Sequence, residues 1–267
     1  MIALLALLGL VGLVSAIDLD EDEVVSADSG EDKGADDEIE GSAGADSLIG
    51  GAGEDVLLGR GGADSLLGYG GDDLLKGGDG DDVMDAGAGD DDLRGGDGID
   101  IMFGGAGDDL MDGGADSDYM EGGSGADTMD GGAGDDVLFS YWSPSAASGG
   151  YDLQDSYDPD LVRGGDGIDI LMGGSGDTLE GGDGTDGFVT GTWVDPDHAV
   201  EIADFEAGDQ IVVTQFDNYT GAGEVELETD GDDVTVLFDG SAVARVTNGA
   251  GVVSLADVSV IEVDAPA

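Results

Sequence analysis

An uninterrupted nine-residue repeat runs from Gly41 to Phe139, eleven units without insertion or deletion. One unit reads Gly50-Gly51-Ala52-Gly53-Glu54-Asp55-Val56-Leu57-Leu58, and another Gly104-Gly105-Ala106-Gly107-Asp108-Asp109-Leu110-Met111-Asp112. The sixth position is Asp in every unit and the eighth is Leu or Met in every unit. The first and fourth positions are Gly except at Ala86 and Asp116. A period this strict confines the chain to a solenoid, because each unit can bury its apolar side chain only against its neighbours.

The unit divides into a glycine-rich turn over positions one to six and a three-residue strand over positions seven to nine. Side chains alternate across a strand, so the apolar eighth position faces one way and its neighbours the other. Two units make one coil, and stacked coils pair as parallel strands about 4.8 Å apart. The eighth-position residues Leu48, Leu57, Leu66, Leu75, Met84 and Leu93 then begin a thin internal core. The methionines at 84, 102, 111, 120 and 129 read as core filling. The expected fold is all-β: a parallel β-roll with a C-terminal antiparallel β cap.

Units eighteen residues apart stack on the same side. Asp46, Asp64, Asp82, Asp100, Asp118 and Asp136 form one column of carboxylates, and Asp55, Asp73, Asp91, Asp109 and Asp127 the other. Such columns cannot stay ionised without counter-charge. Carboxylates with turn carbonyls make an all-oxygen site, which suits calcium; magnesium demands a stricter octahedron. Zinc and copper want His or Cys, and the chain has one His and no Cys. Residues 41–139 hold 25 acids and three bases, a net charge of 3 − 25 = −22. One ion per gap between stacked turns gives about nine ions, or roughly 18 positive charges, and without them self-repulsion holds the roll open.

These units resemble the glycine- and aspartate-rich nonapeptides of RTX (repeat-in-toxin) proteins, cleanly over 41–139 and more loosely over 164–189. The resemblance implies that sixth-position Asp and turn carbonyls of stacked units share each calcium ion. It further implies export by type I secretion from a Gram-negative cell, with an uncleaved signal near the C-terminus. The apolar and acidic tail from Leu255 to Ala267 is compatible with that.

The whole chain has 64 acidic and six basic residues, a formal net charge of −58. Nucleic acid and anionic membrane surfaces are excluded as electrostatic partners. Extracellular calcium modules have dissociation constants around 10⁻⁴–10⁻³ M, so cytosolic calcium would leave such sites empty. Metal binding then becomes folding free energy, and the expected location is extracellular or at the cell surface.

Around the first block, Met1 to Ile17 is almost wholly apolar but lacks the basic residues of an ordinary signal peptide. It reads as a cleaved signal, a short membrane anchor or neither. Residues 18–40 read as an acidic linker. Residues 140–163 interrupt the repeat with Tyr141, Trp142, Tyr151 and Tyr157, either a loop packing its rings over the roll or a contact for a glycan or cell-surface partner. Residues 164–194 hold degenerate repeats with Asp169, Asp177 and Asp186 at the sixth position, adding further calcium sites; the unit Gly173 to Glu180 is one residue short. From 195 to 267 glycine thins and strand-like runs appear at 211–216, 224–228, 233–238 and 242–247 and near 252–263, with a hairpin signal at Asp239-Gly240. This is the expected cap. No catalytic motif is present, and His198 reads as an ordinary surface or cap residue, so the chain is read as a binding protein, not an enzyme.

Overall fold

The computed structural model describes residues 23–26, 36–140, 143–145, 150–152, 158–191, 193–216, 220–249 and 251–263. The N-terminal segment 1–17, the side chains of the aromatic insertion and the tail beyond 263 lie outside the described residues.

Through the repeats, consecutive strands alternate between two sheets. The first sheet has 11 strands among the described residues and runs from Glu23–Ser26 through Asp46–Ala52, Ser65–Gly70 and every second strand of the repeats to Gln210–Phe216 and Val258–Val263. The second has 12 strands and begins at Glu38–Glu40 and Val56–Gly61. Within the repeats every pairing is parallel, with identical positions of successive coils side by side, as in Leu48↔Leu66 and Met111↔Met129. The chain is thus wound as a parallel β-roll.

The eighth-position side chains meet between the sheets. Leu48 through Leu138 are fully buried at every ninth residue and belong to one apolar cluster with Val162, Leu171, Leu179 and Phe188. Burying each such side chain stabilises the roll by about 1.5–3 kcal/mol. The strands are longer than the expected three residues: Val56–Gly61 and its repeats carry the ladder through the first glycines of the following unit. The sharp bend is correspondingly confined to positions four to six. There the glycine is required, since Gly71 has φ 116° and a Cβ on it would stand 1.9 Å from the Gly53 carbonyl oxygen of the preceding coil.

The register records every irregularity of the sequence. Paired residues are 18 apart through the regular block, as in Thr128↔Leu110. Across the insertion the separation becomes 33 (Thr128↔Leu161, Val137↔Ile170), or 18 + 15. It then falls to 17 where the short unit lies (Leu161↔Thr178, Ile170↔Gly187) and rises to 23 at the following coil (Thr178↔Glu201, Gly187↔Gln210). In every case the apolar position stays in its layer.

Two sequence readings need adjustment. Residues 38–40, within the stretch read as linker, pair with Val56–Leu58 and place Ile39 in the core. The C-terminal cap is only partly antiparallel. Strands Val200–Ile202, Gln210–Phe216, Ser241–Val246 and Val258–Val263 extend the parallel sheets. Only the meander Val225–Asp230, Asp233–Phe238 and Ser241–Val246 is antiparallel. The reason is that the last coils keep the in-out pattern of the roll, so parallel pairing remains the way to bury Ile202, Ile211 and Val213. The expected hairpin turn at Asp239-Gly240 is present, both residues having positive φ.

Candidate metal centre

Each sixth-position Asp sits at the end of a turn, where the chain enters a strand. Its side chain points along the stack, not outward. The main-chain N–H of each such residue donates to Oδ1 of the Asp one coil further on. This holds for Asp46 to Asp64 (2.7 Å), Asp64 to Asp82 (2.7 Å), Asp82 to Asp100 (2.8 Å), Asp100 to Asp118 (2.8 Å) and Asp118 to Asp136 (2.8 Å). The second column repeats it for Asp55 to Asp73 (2.8 Å), Asp73 to Asp91 (2.6 Å), Asp91 to Asp109 (2.9 Å) and Asp109 to Asp127 (2.9 Å). All eleven expected residues therefore stand in the two expected columns.

Both columns run further than the repeat pattern indicated. Asp127 donates to Asp160, and Asp160 to Asp177. Asp136 donates to Asp169, Asp169 to Asp186, and Asp186 to Asp209. Asp160 and Asp209 were missed in the sequence because their turns lack the glycine pattern. The available signal was the downstream strand: Asp160-Leu161-Val162-Arg163 and Asp209-Gln210-Ile211-Val212 both place an inward apolar residue two after the Asp.

The other carboxylate oxygen decides what the columns can do. In Asp55, Asp64, Asp73, Asp82, Asp91, Asp100, Asp109, Asp118, Asp127, Asp136 and Asp169, Oδ2 is buried and has no hydrogen-bond partner. At most of these positions it faces the first glycine of its own unit and a main-chain carbonyl of the next coil. A Cβ on Gly95 would stand 2.2 Å from Asp100 Oδ2 and 2.5 Å from the Gly113 oxygen. A Cβ on Gly113 would stand 2.5 Å from Asp118 Oδ2 and 2.7 Å from the Gly131 oxygen. Oxygen thus faces oxygen with no proton donor between them.

Three column members are built differently. Asp46 Oδ2 accepts from the Ser42 N–H (2.5 Å) and Asp209 Oδ2 from the Glu206 N–H (2.7 Å). Asp177 Oδ2 accepts from the Gly174 N–H (2.5 Å) and the Ser140 hydroxyl (2.6 Å). These residues lie at or near column ends, and protein donors satisfy them. Asp177, a ligand candidate from the sequence, is therefore engaged by the chain itself.

Electrostatics follow from burial. It pushes the carboxyls of Asp82, Asp100, Asp109, Asp127 and Asp169 up to about 7 and that of Asp118 to about 8. Asp73 and Asp136 rise to about 6, and Asp160 to about 9. Nearby acids add to the rise, while the main-chain donor on Oδ1 opposes it. An ionised carboxylate in this setting lacks a counter-charge and costs on the order of several kcal/mol. Among the described residues no three His, Cys, Asp or Glu side chains converge on one point. A cation here would instead be held by column carboxylates together with main-chain oxygens. That donor set is hard and all-oxygen, and it fits calcium.

The family model of the RTX calcium-binding nonapeptide repeat matches residues 32–66, 58–93, 67–102, 87–120 and 103–138. No curated protein matches the chain. The matched segments cover the coils in which the Oδ2 oxygens are unpartnered without a break from Asp55 to Asp136. The matches to the RTX calcium-binding nonapeptide repeat thus span residues 32–138, and the described part of that stretch, 36–138, is wound as a parallel β-roll.

Proposed function

We propose that this is an exported protein whose roll folds when it meets extracellular calcium, with the sixth-position Asp residues as the ion ligands. The observation that carries the reading is the run of eleven buried Oδ2 oxygens without a donor. A fold that buries so many bare carboxylate oxygens is incomplete without cations. Bound calcium supplies the positive charge that lets these carboxylates stay ionised inside the stack.

Within this reading Asp55, Asp64, Asp73, Asp82, Asp91, Asp100, Asp109, Asp118, Asp127, Asp136 and Asp169 are the principal carboxylate ligands. Asp160 and Asp186 extend the columns. Asp46, Asp177 and Asp209 hold the ends through protein hydrogen bonds. About nine ions serve the regular block if one occupies each gap, with additional ions beyond Asp136. Cytosolic calcium leaves sites of extracellular affinity empty, so the chain stays open inside the cell and closes after export.

The test is far-UV circular dichroism of the chain during a calcium titration, with magnesium as the control. The expected result is a cooperative rise in β signal at sub-millimolar to millimolar calcium, absent with magnesium. A full β signal in calcium-free buffer at neutral pH would refute ion-driven folding and the export argument built on it.

A further inference from the structure

The outward face of the second sheet has a charge order that its own strands do not explain. In each unit of this sheet the seventh- and ninth-position side chains flank the buried eighth and point away from the core. Register aligns the ninth positions into one row: Lys76↔Arg94, Arg94↔Asp112, Asp112↔Asp130, Asp130↔Arg163 and Arg163↔Glu180. The first four therefore run plus, plus, minus, minus. Like charges directly opposite each other on paired strands are destabilising, and this order sets up two such pairs. Alternation of the same four residues would avoid both. Arg94 also binds Asp92 on its own strand, and Arg163 binds Glu180. Among the described residues Lys76, Asp112 and Asp130 form no ion pair.

The order is complementary to itself. A two-fold axis along the strand direction, between Asp92–Asp97 and Leu110–Ala115, brings a second copy face to face with its stack reversed. Lys76 of one copy then meets Asp130 of the other, and Arg94 meets Asp112, each contact being made twice. In the seventh-position row Val56 meets Leu161 and Leu74 meets Thr128. Leu110, 48% exposed in the single chain, is covered beside the Arg94–Asp92 pair. Over the six strands from Val56–Gly61 to Leu161–Gly167 these two rows hold three cations (Lys76, Arg94, Arg163) and three anions (Asp92, Asp112, Asp130). The face is thus neutral on a chain of formal net charge −58, and two such chains can approach there without general repulsion. At the outer margin Glu40 comes opposite Glu180, and each already has its own arginine, Arg60 and Arg163.

We propose that the outward face of the second sheet is a homodimer interface, two rolls packed face to face with antiparallel stacks through Lys76–Asp130 and Arg94–Asp112 contacts. Strand spacing and rise give a face of roughly 29 Å by 20 Å on each copy, or about 1,200 Å² in total, at the lower limit for specific interfaces. Its charge pairs lie near solvent, so the dimer is reversible and salt-sensitive. It requires the folded roll and does not depend on which ion folds it.

The test is sedimentation velocity of the full chain in saturating calcium over a range of protein concentrations, with circular dichroism confirming the roll in every variant. The parent should pass from monomer to dimer as its concentration rises, and added salt should shift it back. Lys76→Asp and Asp130→Lys should each raise the dimer dissociation constant by about tenfold or more, since each sets like charges face to face. Mixing the two variants should restore a dimer, because each then supplies the charge that the other has reversed. A parent that stays monomeric at every soluble concentration overturns the proposal. So does a dimer that neither variant weakens, or one that mixing fails to restore, by assigning the contact to another surface. A monomeric parent that binds heparin through Lys76 also overturns it, by giving the basic pair to a polyanion. Should a charge reversal disturb the roll, Lys76→Gln and Asp130→Asn give the same decision, each weakening the dimer several-fold.

Discussion

The main-chain N–H of Asp127 donates to Oδ1 of Asp160 across 2.7 Å, although the two residues are 33 apart in sequence. Earlier rungs of the same column join residues 18 apart. Asp160 is therefore a full member of the column despite the insertion before it. Asp160→Ala should lower the thermal stability of the calcium-loaded protein by about 1–3 kcal/mol. The calcium midpoint of the β signal should rise several-fold. A variant indistinguishable from the parent in both readouts would remove Asp160 from the ion-binding set.

Interior and terminal carboxylates should respond to amide substitution in opposite ways. Asp100 Oδ2 has no donor and lies beside the Gly113 carbonyl oxygen. In Asp100→Asn an amide N–H can face that oxygen, so the calcium-free roll should gain on the order of 1–3 kcal/mol. Its calcium stoichiometry, read by isothermal titration calorimetry, should fall. In Asp177→Asn the new N–H₂ meets the Gly174 N–H and the Ser140 hydroxyl if it takes the Oδ2 place. That variant should lose stability with or without calcium, with little change in stoichiometry.

Acidity should substitute in part for calcium. The folded values of about 6 to 8 at Asp73, Asp82, Asp100, Asp109, Asp118, Asp127 and Asp136 lie above the ordinary carboxyl value of 3.8. The folded state therefore binds these protons more tightly than the unfolded chain does. Their contribution to stability is fully present below about pH 4 and is lost as pH rises through about 6 to 8. In calcium-depleted buffer the β signal should grow between pH 8 and pH 4. With calcium present, protons compete for the same oxygens, so the calcium midpoint should rise on acidification.

Glycine positions should separate sharply by their surroundings. Gly71→Ala places a Cβ at φ 116° and 1.9 Å from the Gly53 oxygen. It should cost more than about 2 kcal/mol, since the left-handed conformation alone costs 1–2. A Cβ at Gly51 meets nothing within 4 Å, and Gly51→Ala should stay within about 0.5 kcal/mol of the parent. Thermal denaturation in saturating calcium gives both values.

Much of the fold was legible because each nonapeptide states its own inside and outside. Leu57 and Met111 could be placed in the core, and Asp55 and Asp109 in one column, by counting alone. The rest depends on contacts that counting does not reach. Asp160 and Asp209 join the columns through strands downstream of irregular turns, and their own turns carry no motif. The parallel pairing of Val200–Ile202 and Gln210–Phe216 follows from the register of preceding coils, while their composition resembles any β segment. The difference between Asp100, bare at Oδ2, and Asp177, doubly donated, lies in the path of the turn before each carboxylate.

That last contrast gives the molecule a beginning and an end. A stack of like units has no intrinsic length, and a carboxylate left open on its final coil would invite bridging to another molecule through a shared ion. Asp177 and Asp209 close the two columns near their C-terminal limit with donors from their own turns. At this pole the final carboxylate oxygens already have donors, so the stack offers no bare Oδ2 at Asp177 or Asp209 for an ion shared with a neighbouring molecule.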